Sequence, residues 1–450
     1  KMSNIEILMP ALSPTMEEGG IAKWLVKPGD TIRAGDLIAE IETDKAIMEF
    51  ESACDGIISE LLVEEGSNQI KVNSPIALIS DNSISKKDRN VTTKHSNNSS
   101  SSNTNQLGLK SSDSGDVEEI KDGQKLFTVR EAIRDALAEE MRTDQNVFLM
   151  GEEVAEYEGA YKVSQGLLDE FGSERVIDTP ITEHGFTGLA AGAAFGGLKP
   201  VVEFMTFNFS LQAMDQIINT CAKTLYMSGG QMNCPIVIRG PNGAASQVAA
   251  QHSQDFAPWF ASVPGLKVVQ PFSANDAKGL LKSAIRDPNP VIFLENEILY
   301  NDKSASSRIN DQLIPIGKAK VLMEGSDVTL VSYGIGIKHS LSAIELARDI
   351  DISVELIDLR SIRPIDYETV FESIKKTNRC ITVEECFPIC SIGNHLSASI
   401  MESIFDHLDS PIINCNGKDV PMPYAKNLEK AALLNPEEIL NAIKKVTYRD

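Results

Sequence analysis

The chain has 450 residues, 42% of them hydrophobic and 24% charged, with a formal net charge of −22. That length predicts about three domains, and the apolar content is ample for buried cores. The acidity argues against nucleic acid, whose phosphates call for clustered Lys and Arg, and no apolar run approaches the ~18 residues of a membrane-spanning helix.

The first residues run straight into a strand pattern, which predicts no secretory or organellar presequence. Residues 21–29 (IAKWLVKPG) are echoed by 58–66 (ISELLVEEG), and DLIAEI (36–41) by SPIALI (74–79) after a one-residue slip. Short apolar runs broken by Gly, Pro, Asp and Asn read as short strands, so two similar halves are expected to pack face to face. Lys45, in ETDKA, falls between the halves where a hairpin tip is expected. A turn lysine taken alone is most often simply solvated.

Residues 81–125 are rich in Ser, Asn, Lys and Asp and nearly lack large apolar groups. Such a segment cannot bury enough surface to offset its ordering entropy, and a flexible linker is expected. As a coil its mean span is about 35–40 Å, and stretched it exceeds about 100 Å.

From Leu126 the pattern alternates. VFLMG (147–151), RVIDTP (175–180), KPVVEFMTF (199–207), PIVIRG (235–240), KVVQP (267–271) and VIFLE (291–295) read as strands. A helical stretch is expected over SLQAMDQIINTCAKTLYM, and Ser273 is placed to cap the helix that begins ANDAKGLL. This alternation predicts a parallel sheet covered on both faces. A polar connection near 301–315 leads to a second α/β unit from about Ile316, with strands at 328–334, 354–359, 379–385 and 411–415 and helices at KHSLSAIELARDI and 391–405.

Seven scattered cysteines (Cys54, Cys221, Cys234, Cys380, Cys386, Cys390, Cys415) fit a reducing compartment. Cys386 and Cys390 lack a second Cys/His pair at zinc spacing and read as small core-side residues. The run EHGFTGLAAGAAFGG is not a dinucleotide fingerprint. Its small residues would let a helix approach another backbone closely. Glu183, which opens that run, reads on composition alone as a helix-start carboxylate. His252, taken alone, reads as a satisfied surface or core group.

Two resemblances change those readings. MPALSPTMEEGGI, KPGD and ETDKA, over residues 4–80, resemble a lipoyl domain of the 2-oxo acid dehydrogenase complexes. That family carries lipoic acid in amide linkage on the lysine matching Lys45. GEEVAEYEGAYKVSQGL, DTPITEHGFTGLAAGAAFGG, EFMTFNFSLQAMDQIINT, RGPNGA, AAQHSQ and DVPMPYA, over 126–447, resemble the β subunit of thiamine-diphosphate-dependent 2-oxo acid dehydrogenases, nearest to the pyruvate type. The implied architecture is an all-β lipoyl domain of flattened-barrel type (4–80), a linker (81–125), an α/β pyrimidine-binding domain (126–302) and an α/β transketolase C-terminal-type domain (316–447).

The resemblance assigns roles residue by residue. Glu183 hydrogen-bonds the cofactor's aminopyrimidine, Phe209 stacks on it, and Glu152 is a carboxylate near the cofactor. His252 lies at the substrate channel and moves a proton during acyl transfer. His184 departs from the pattern, since many relatives carry an apolar residue there; it adjoins Glu183, and no role is carried over to it. Ile236, Ala284, Ile285, Asp287 and Asn289 match a structural potassium site.

No segment resembles the family's Gly-Asp-Gly followed about 25–30 residues later by Asn, and KDGQ (121–124) in the linker is not a match, so an α subunit is expected to supply the diphosphate and magnesium site in an α₂β₂ assembly. A dihydrolipoyl acyltransferase core and a dihydrolipoyl dehydrogenase would complete the complex, in a bacterial cytoplasm or, after loss of a presequence, a mitochondrial matrix. A branched-chain 2-oxo acid or acetoin enzyme and a non-catalytic acyl-carrying subunit are the alternatives.

Overall fold

A computed structural model describes residues 4–10, 18–32, 36–42, 47–52, 56–72, 74–80, 126–245 and 247–449. The chain divides into two compact units, Lys1–Gln106 and Leu107–Asp450.

Among the described residues the first unit has eight strands: β1 (Asn4–Leu8), β2 (Glu18–Trp24), β3 (Thr31–Ile32), β4 (Leu37–Glu42), β5 (Ile47–Glu51), β6 (Gly56–Leu61), β7 (Ile70–Lys71) and β8 (Pro75–Ser80). They form two four-stranded sheets, β1-β8-β6-β3 and β5-β4-β2-β7. The sequence repeat explains this order. β2 and β4 stand in one sheet as β6 and β8 stand in the other. Among the described residues, isoleucines of β1, β2, β4, β6 and β8 (Ile7, Ile21, Ile38, Ile41, Ile58, Ile76, Ile79) meet in one buried core. Branched side chains suit that pleated, half-buried surface. β4 and β5 pair antiparallel, with Glu42 opposite Ile47. Lys45 itself lies outside the described residues, as do the linker 81–125 and Cys54.

In the second unit, α1 (Val129–Thr143) starts at a capping box, with Thr128 and Glu131 exchanging backbone-to-side-chain hydrogen bonds. There follow β9 (Val147–Gly151), α2 (Leu167–Phe171), β10 (Val176–Asp178), α3 (Glu183–Phe195) and β11 (Lys199–Glu203). Next come α4 (Ala222–Met227), β12 (Val237–Pro241), α5 (Ala257–Ala261), β13 (Lys267–Val269), α6 (Ala274–Arg286) and β14 (Val291–Glu295). Ser273 caps α6 as expected, accepting from the Asp276 N–H at 3.2 Å. Ion pairs from Glu139 to Lys278 and Lys282, and from Glu140 to Arg286, fasten α6 to α1.

The remainder comprises β15 (Lys320–Met323), β16 (Val328–Ser332), α7 (Ile335–Arg348), β17 (Val354–Asp358), β18 (Ser361–Arg363), α8 (Tyr367–Thr377), β19 (Cys380–Val383), α9 (Ile392–Ile404), β20 (Ile413–Cys415), α10 (Lys426–Ala432) and α11 (Pro436–Thr447). The sheets run β10-β9-β11-β12-β14-β13-β18 and β15-β17-β16-β19-β20. β9, β12, β14, β16 and β17 are buried along their whole length, as parallel strands covered on both faces must be.

Three details depart from the sequence reading. β18, an unforeseen strand from the C-terminal part, adds antiparallel to β13 and closes the first sheet, with Val268 opposite Arg363. β15 likewise pairs antiparallel with β17. The stretch read as one helix after β11 is a 3₁₀ segment (Phe207–Ala213), a π segment (Gln216–Cys221) and then α4. Among the described residues no helix is long and apolar enough to cross a membrane.

Candidate active site

Four parallel strands place the candidate residues. Glu152 follows β9, Glu183 follows β10, Phe209 follows β11 and His252 follows β12. Their carboxyl ends are in register: Gly151 stands opposite both Asp178 and Glu203, and Glu203 opposite Arg239. Side chains far apart in sequence therefore collect at one end of the sheet, where open α/β sheets bind ligands. Close backbone packing fixes this end. A Cβ on Gly151 would lie 2.5 Å from the Glu203 carbonyl oxygen, and one on Gly240 only 2.3 Å from that of Phe204.

Glu152 is 6% exposed, and its Oε1 is buried without a hydrogen-bond partner. Burial, with the charges of Glu183 and Glu153, pushes its carboxyl up to about 7. A carboxyl held half-protonated near neutrality, with a free inward oxygen, is equipped to meet a polar ligand atom. Glu183 is half-buried at the first position of α3.

Phe209 and His252 meet edge to face, with ring centroids 5.4 Å apart. Both are half-buried. Asn208, beside Phe209, accepts from the Gln254 backbone N–H at 3.2 Å, which ties the two segments together.

His184 is exposed, and its Nε2 lies 3.1 Å from Gln216 Nε2. The Thr220 hydroxyl in turn donates to Gln216 Oε1 at 2.9 Å. The small-residue run of α3 does make a close approach, but to this side chain and not to a backbone. A Cβ on Gly188 would sit 3.2 Å from Gln216 Cδ, whereas nothing lies within 4 Å at Gly192.

The residues matched to a cation site lie at the opposite end of the same sheet. Ile236 precedes β12, and Ala284, Ile285, Asp287 and Asn289 end α6 and precede β14. A five-residue strand puts roughly 15 Å between them and the carboxylates. The Ala284 carbonyl accepts from the Asp287 N–H at 3.2 Å, and Asp287 Oδ1 from the Asn289 N–H at 2.9 Å. Asn289 Oδ1 is buried without a partner, while the Asp287 carboxylate is engaged by Lys267. The free amide oxygen and nearby carbonyls suit a hard monovalent cation, although an ammonium already neutralises the one formal charge.

Sequence reasoning missed a second group of polar residues behind His252. Asp255 is buried, with Oδ1 taking bonds from Asn242 and the Ala257 N–H and with Oδ2 unpartnered. Glu385 accepts from the Ala244 N–H, and Glu429 from the Gln247 N–H, both at 2.7 Å. The only local signal was the acidic pair Glu384–Glu385 at the carboxyl end of an apolar strand. Deeper still, Arg239 is fully buried between Glu203 and Glu295, and the Tyr300 hydroxyl donates to Glu295 at 2.6 Å.

Comparison with known proteins gives three family matches. Residues 5–79 match the family described as "Biotin-requiring enzyme", 125–303 "Transketolase, pyrimidine binding domain", and 317–439 "Transketolase, C-terminal domain". The pyruvate dehydrogenase E1 component subunit beta of Rhizobium meliloti is 55% identical over 99% of this chain and 100% of its own length. That of Rickettsia bellii is 60% identical over 72% of this chain and 99% of its own. The rice mitochondrial beta-2 subunit is 57% identical over 72% of this chain and 87% of its own. Among solved structures, a chain described as a split gene transketolase, inactive beta4 tetramer, shares the fold over 72% of this chain and 98% of its own. The TM-score is 0.59 and the identity 22%.

Proposed function

The chain belongs to the family of pyruvate dehydrogenase E1 component β subunits, and from that membership we propose how its residues divide the work of moving an acetyl group from pyruvate to a lipoyl arm. The observation that carries the reading is the gathering of Glu152, Glu183, Phe209 and His252 at the carboxyl ends of β9 to β12, with Glu152 Oε1 buried and unpartnered. These residues fit a pyrimidine with hydrogen-bonding ring atoms, in keeping with the match to a pyrimidine-binding domain.

Thiamine diphosphate, when bound, supplies the nucleophilic carbon and the electron sink for loss of carbon dioxide. Glu183 holds a proton at the pyrimidine ring nitrogen. Glu152, poised near neutrality, exchanges protons beside it and keeps a second negative charge out of the site. Phe209 offers an aromatic face to the ring and packs perpendicular to His252. The His252 imidazole gives or takes the proton that moves as acetyl passes to the dithiolane.

Lys45 is the attachment point of lipoic acid in this reading. An E1 α subunit binds the diphosphate and magnesium, in an α₂β₂ assembly. A monovalent cation is held by carbonyls of Ile236, Ala284 and Ile285, with Asp287 and Asn289. The acetyl group then goes to a dihydrolipoyl acyltransferase core, and a dihydrolipoyl dehydrogenase reoxidises the arm.

The test assembles the full chain with an E1 α subunit and supplies carbon-labelled pyruvate. Label is expected on the Lys45 peptide of the wild type and not on that of Lys45→Arg. Absence of label from the wild type, with pyruvate-dependent ferricyanide reduction intact, would end the carrier reading.

A further inference from the structure

The segment from Asn242 to Ala257 leaves β12, carries His252 and returns into α5. Its backbone is strained. Gln247 has φ +55°, and Ala249 has φ +63° and ψ −165°, a combination that belongs essentially to glycine. Such a conformation persists only where the surroundings impose it. Within the segment, the Gly243 N–H donates to the Gln254 carbonyl at 3.0 Å, and the Ser253 hydroxyl to the Ala249 carbonyl at 2.7 Å.

The remaining restraints come from side chains. Asn208 takes the Gln254 N–H. Two carboxylates from much later in the chain take the other amides. Glu385, just after β19, accepts from Ala244 N–H through Oε1, while its Oε2 lies 3.4 Å from Asn296 Nδ2. Glu429, in α10 and 8% exposed, accepts from Gln247 N–H through Oε2. Contact at the first of these leaves no spare room: a Cβ on Gly243 (φ +88°) would fall 2.3 Å from Glu385 Oε2.

We propose that Glu385 and Glu429 are positioning residues for acetyl transfer, which hold the strained segment so that His252 stays against Phe209. The inference rests on the reading of His252 as the proton carrier of that step. The C-terminal part of the chain thereby acts on a reaction whose reacting groups all lie in the earlier part. The hydrogen bonds of both carboxyl groups go to the amides and to Asn296, not to His252. Each fixes a backbone amide on the near side of it, five and eight residues away, and the strained turn at Ala249 transmits the restraint. Burial and the nearby charge of Asp255 push Glu385 up to about 8, so its grip on Ala244 is that of a largely neutral carboxyl near pH 7. A carbonyl oxygen accepts the same N–H whether or not the group is charged, and a glutamine there retains the contact.

The experiment uses the full chain assembled with an E1 α subunit, as wild type, Glu385→Ala, Glu429→Ala, the two glutamine variants and His252→Ala. Two rates are measured: ferricyanide reduction with pyruvate, and acetylation of added lipoamide. Deuterium exchange is followed over residues 244–254.

The alanine variants are expected to lose acetyl transfer by about ten- to a hundred-fold, since misplacement by about an ångström costs up to about a hundred-fold. Ferricyanide reduction should stay within about two-fold, exchange over the segment should accelerate, and the glutamine variants should recover both. Alanine variants that transfer acetyl at the wild-type rate, or that lose both rates equally, would overturn the proposal. If His252→Ala itself transfers acetyl normally, the reading of His252 falls first. If only His252→Ala is slow, the reading stands and the clamp alone is lost. Where an alanine variant does not assemble, the wild type still decides. The Ala244 and Gln247 amides must exchange more slowly than that of exposed Val248, and equal rates refute the clamp.

Discussion

The rings of Phe209 and His252 stand nearly perpendicular, 88° between their planes and 5.4 Å between centroids, although the two residues leave the sheet from different strands. The contact joins a residue read as facing the cofactor to one read as moving a proton. An aromatic pair of this geometry contributes about 0.5–1.5 kcal/mol beyond its buried area. Phe209→Ala is expected to slow acetylation of lipoamide about 2- to 12-fold for the lost pair alone, and to weaken thiamine diphosphate binding, read by fluorescence titration. Phe209→Tyr should restore most of both. Wild-type behaviour from the alanine variant would dissociate Phe209 from the site.

Glu183→Gln keeps the size and polarity of the side chain and removes its ability to hold an exchangeable carboxyl proton. Proton transfer by a positioned group contributes typically 10²–10⁴-fold. Pyruvate-dependent ferricyanide reduction is expected to fall by about that range, with assembly unchanged by analytical ultracentrifugation. A fall of less than about ten-fold is incompatible with the role assigned here.

The elevated carboxyl of Glu152 has a consequence for stability. Its folded value, about 7, lies above the ordinary 4.5 because burial and Glu183 disfavour the charged form. The folded state therefore holds a proton that the unfolded state has already released between these two values. Stability from this group is fully present below about pH 4.5 and is lost as pH rises through about 7. Glu152→Gln, permanently neutral, should melt higher than the wild type at pH 8 and at nearly the same temperature at pH 5. Scanning calorimetry at the two pH values checks the difference, and a gap of equal size at both would contradict it.

Arg239 lies fully buried between Glu203 and Glu295. Removing one partner of a buried ion cluster strands the others and typically costs about 3–5 kcal/mol. Arg239→Ala should shift the urea transition of the full chain to markedly lower concentration. Replacing all three residues by apolar ones of matching volume should cost much less. A single alanine variant with the wild-type midpoint would show that the cluster contributes little.

Strands β9 to β14, β16, β17, β19 and β20 were legible because apolar runs bounded by Gly, Pro and Asp are local signals, and the cap at Ser273 was legible for the same reason, whereas β15 and β18 were not foreseen. The repeat around Ile21 and Ile58 announced the two matched sheets of the first unit. The candidate residues at 152, 183, 209 and 252 came from motifs as a set of names. What those motifs did not reveal was the unbroken sheet end on which they converge, nor the irregular 3₁₀ and π stretch at Phe207–Cys221, where Gln216 fills the space beside Gly188.

Periodicity, caps and turn chemistry act over a few residues, and these the amino-acid order of the chain determined unaided. The return of Ser361–Arg363 to the edge beside β13, the enclosure of Arg239 by Glu203 and Glu295, and the reach of Glu385 and Glu429 to the amides of Ala244 and Gln247 were decided only by tertiary structure. The reason is physical. Which carboxylate meets which donor across separations from 36 to 182 residues depends on strand order and register, and those are set by the packing of the whole sheet.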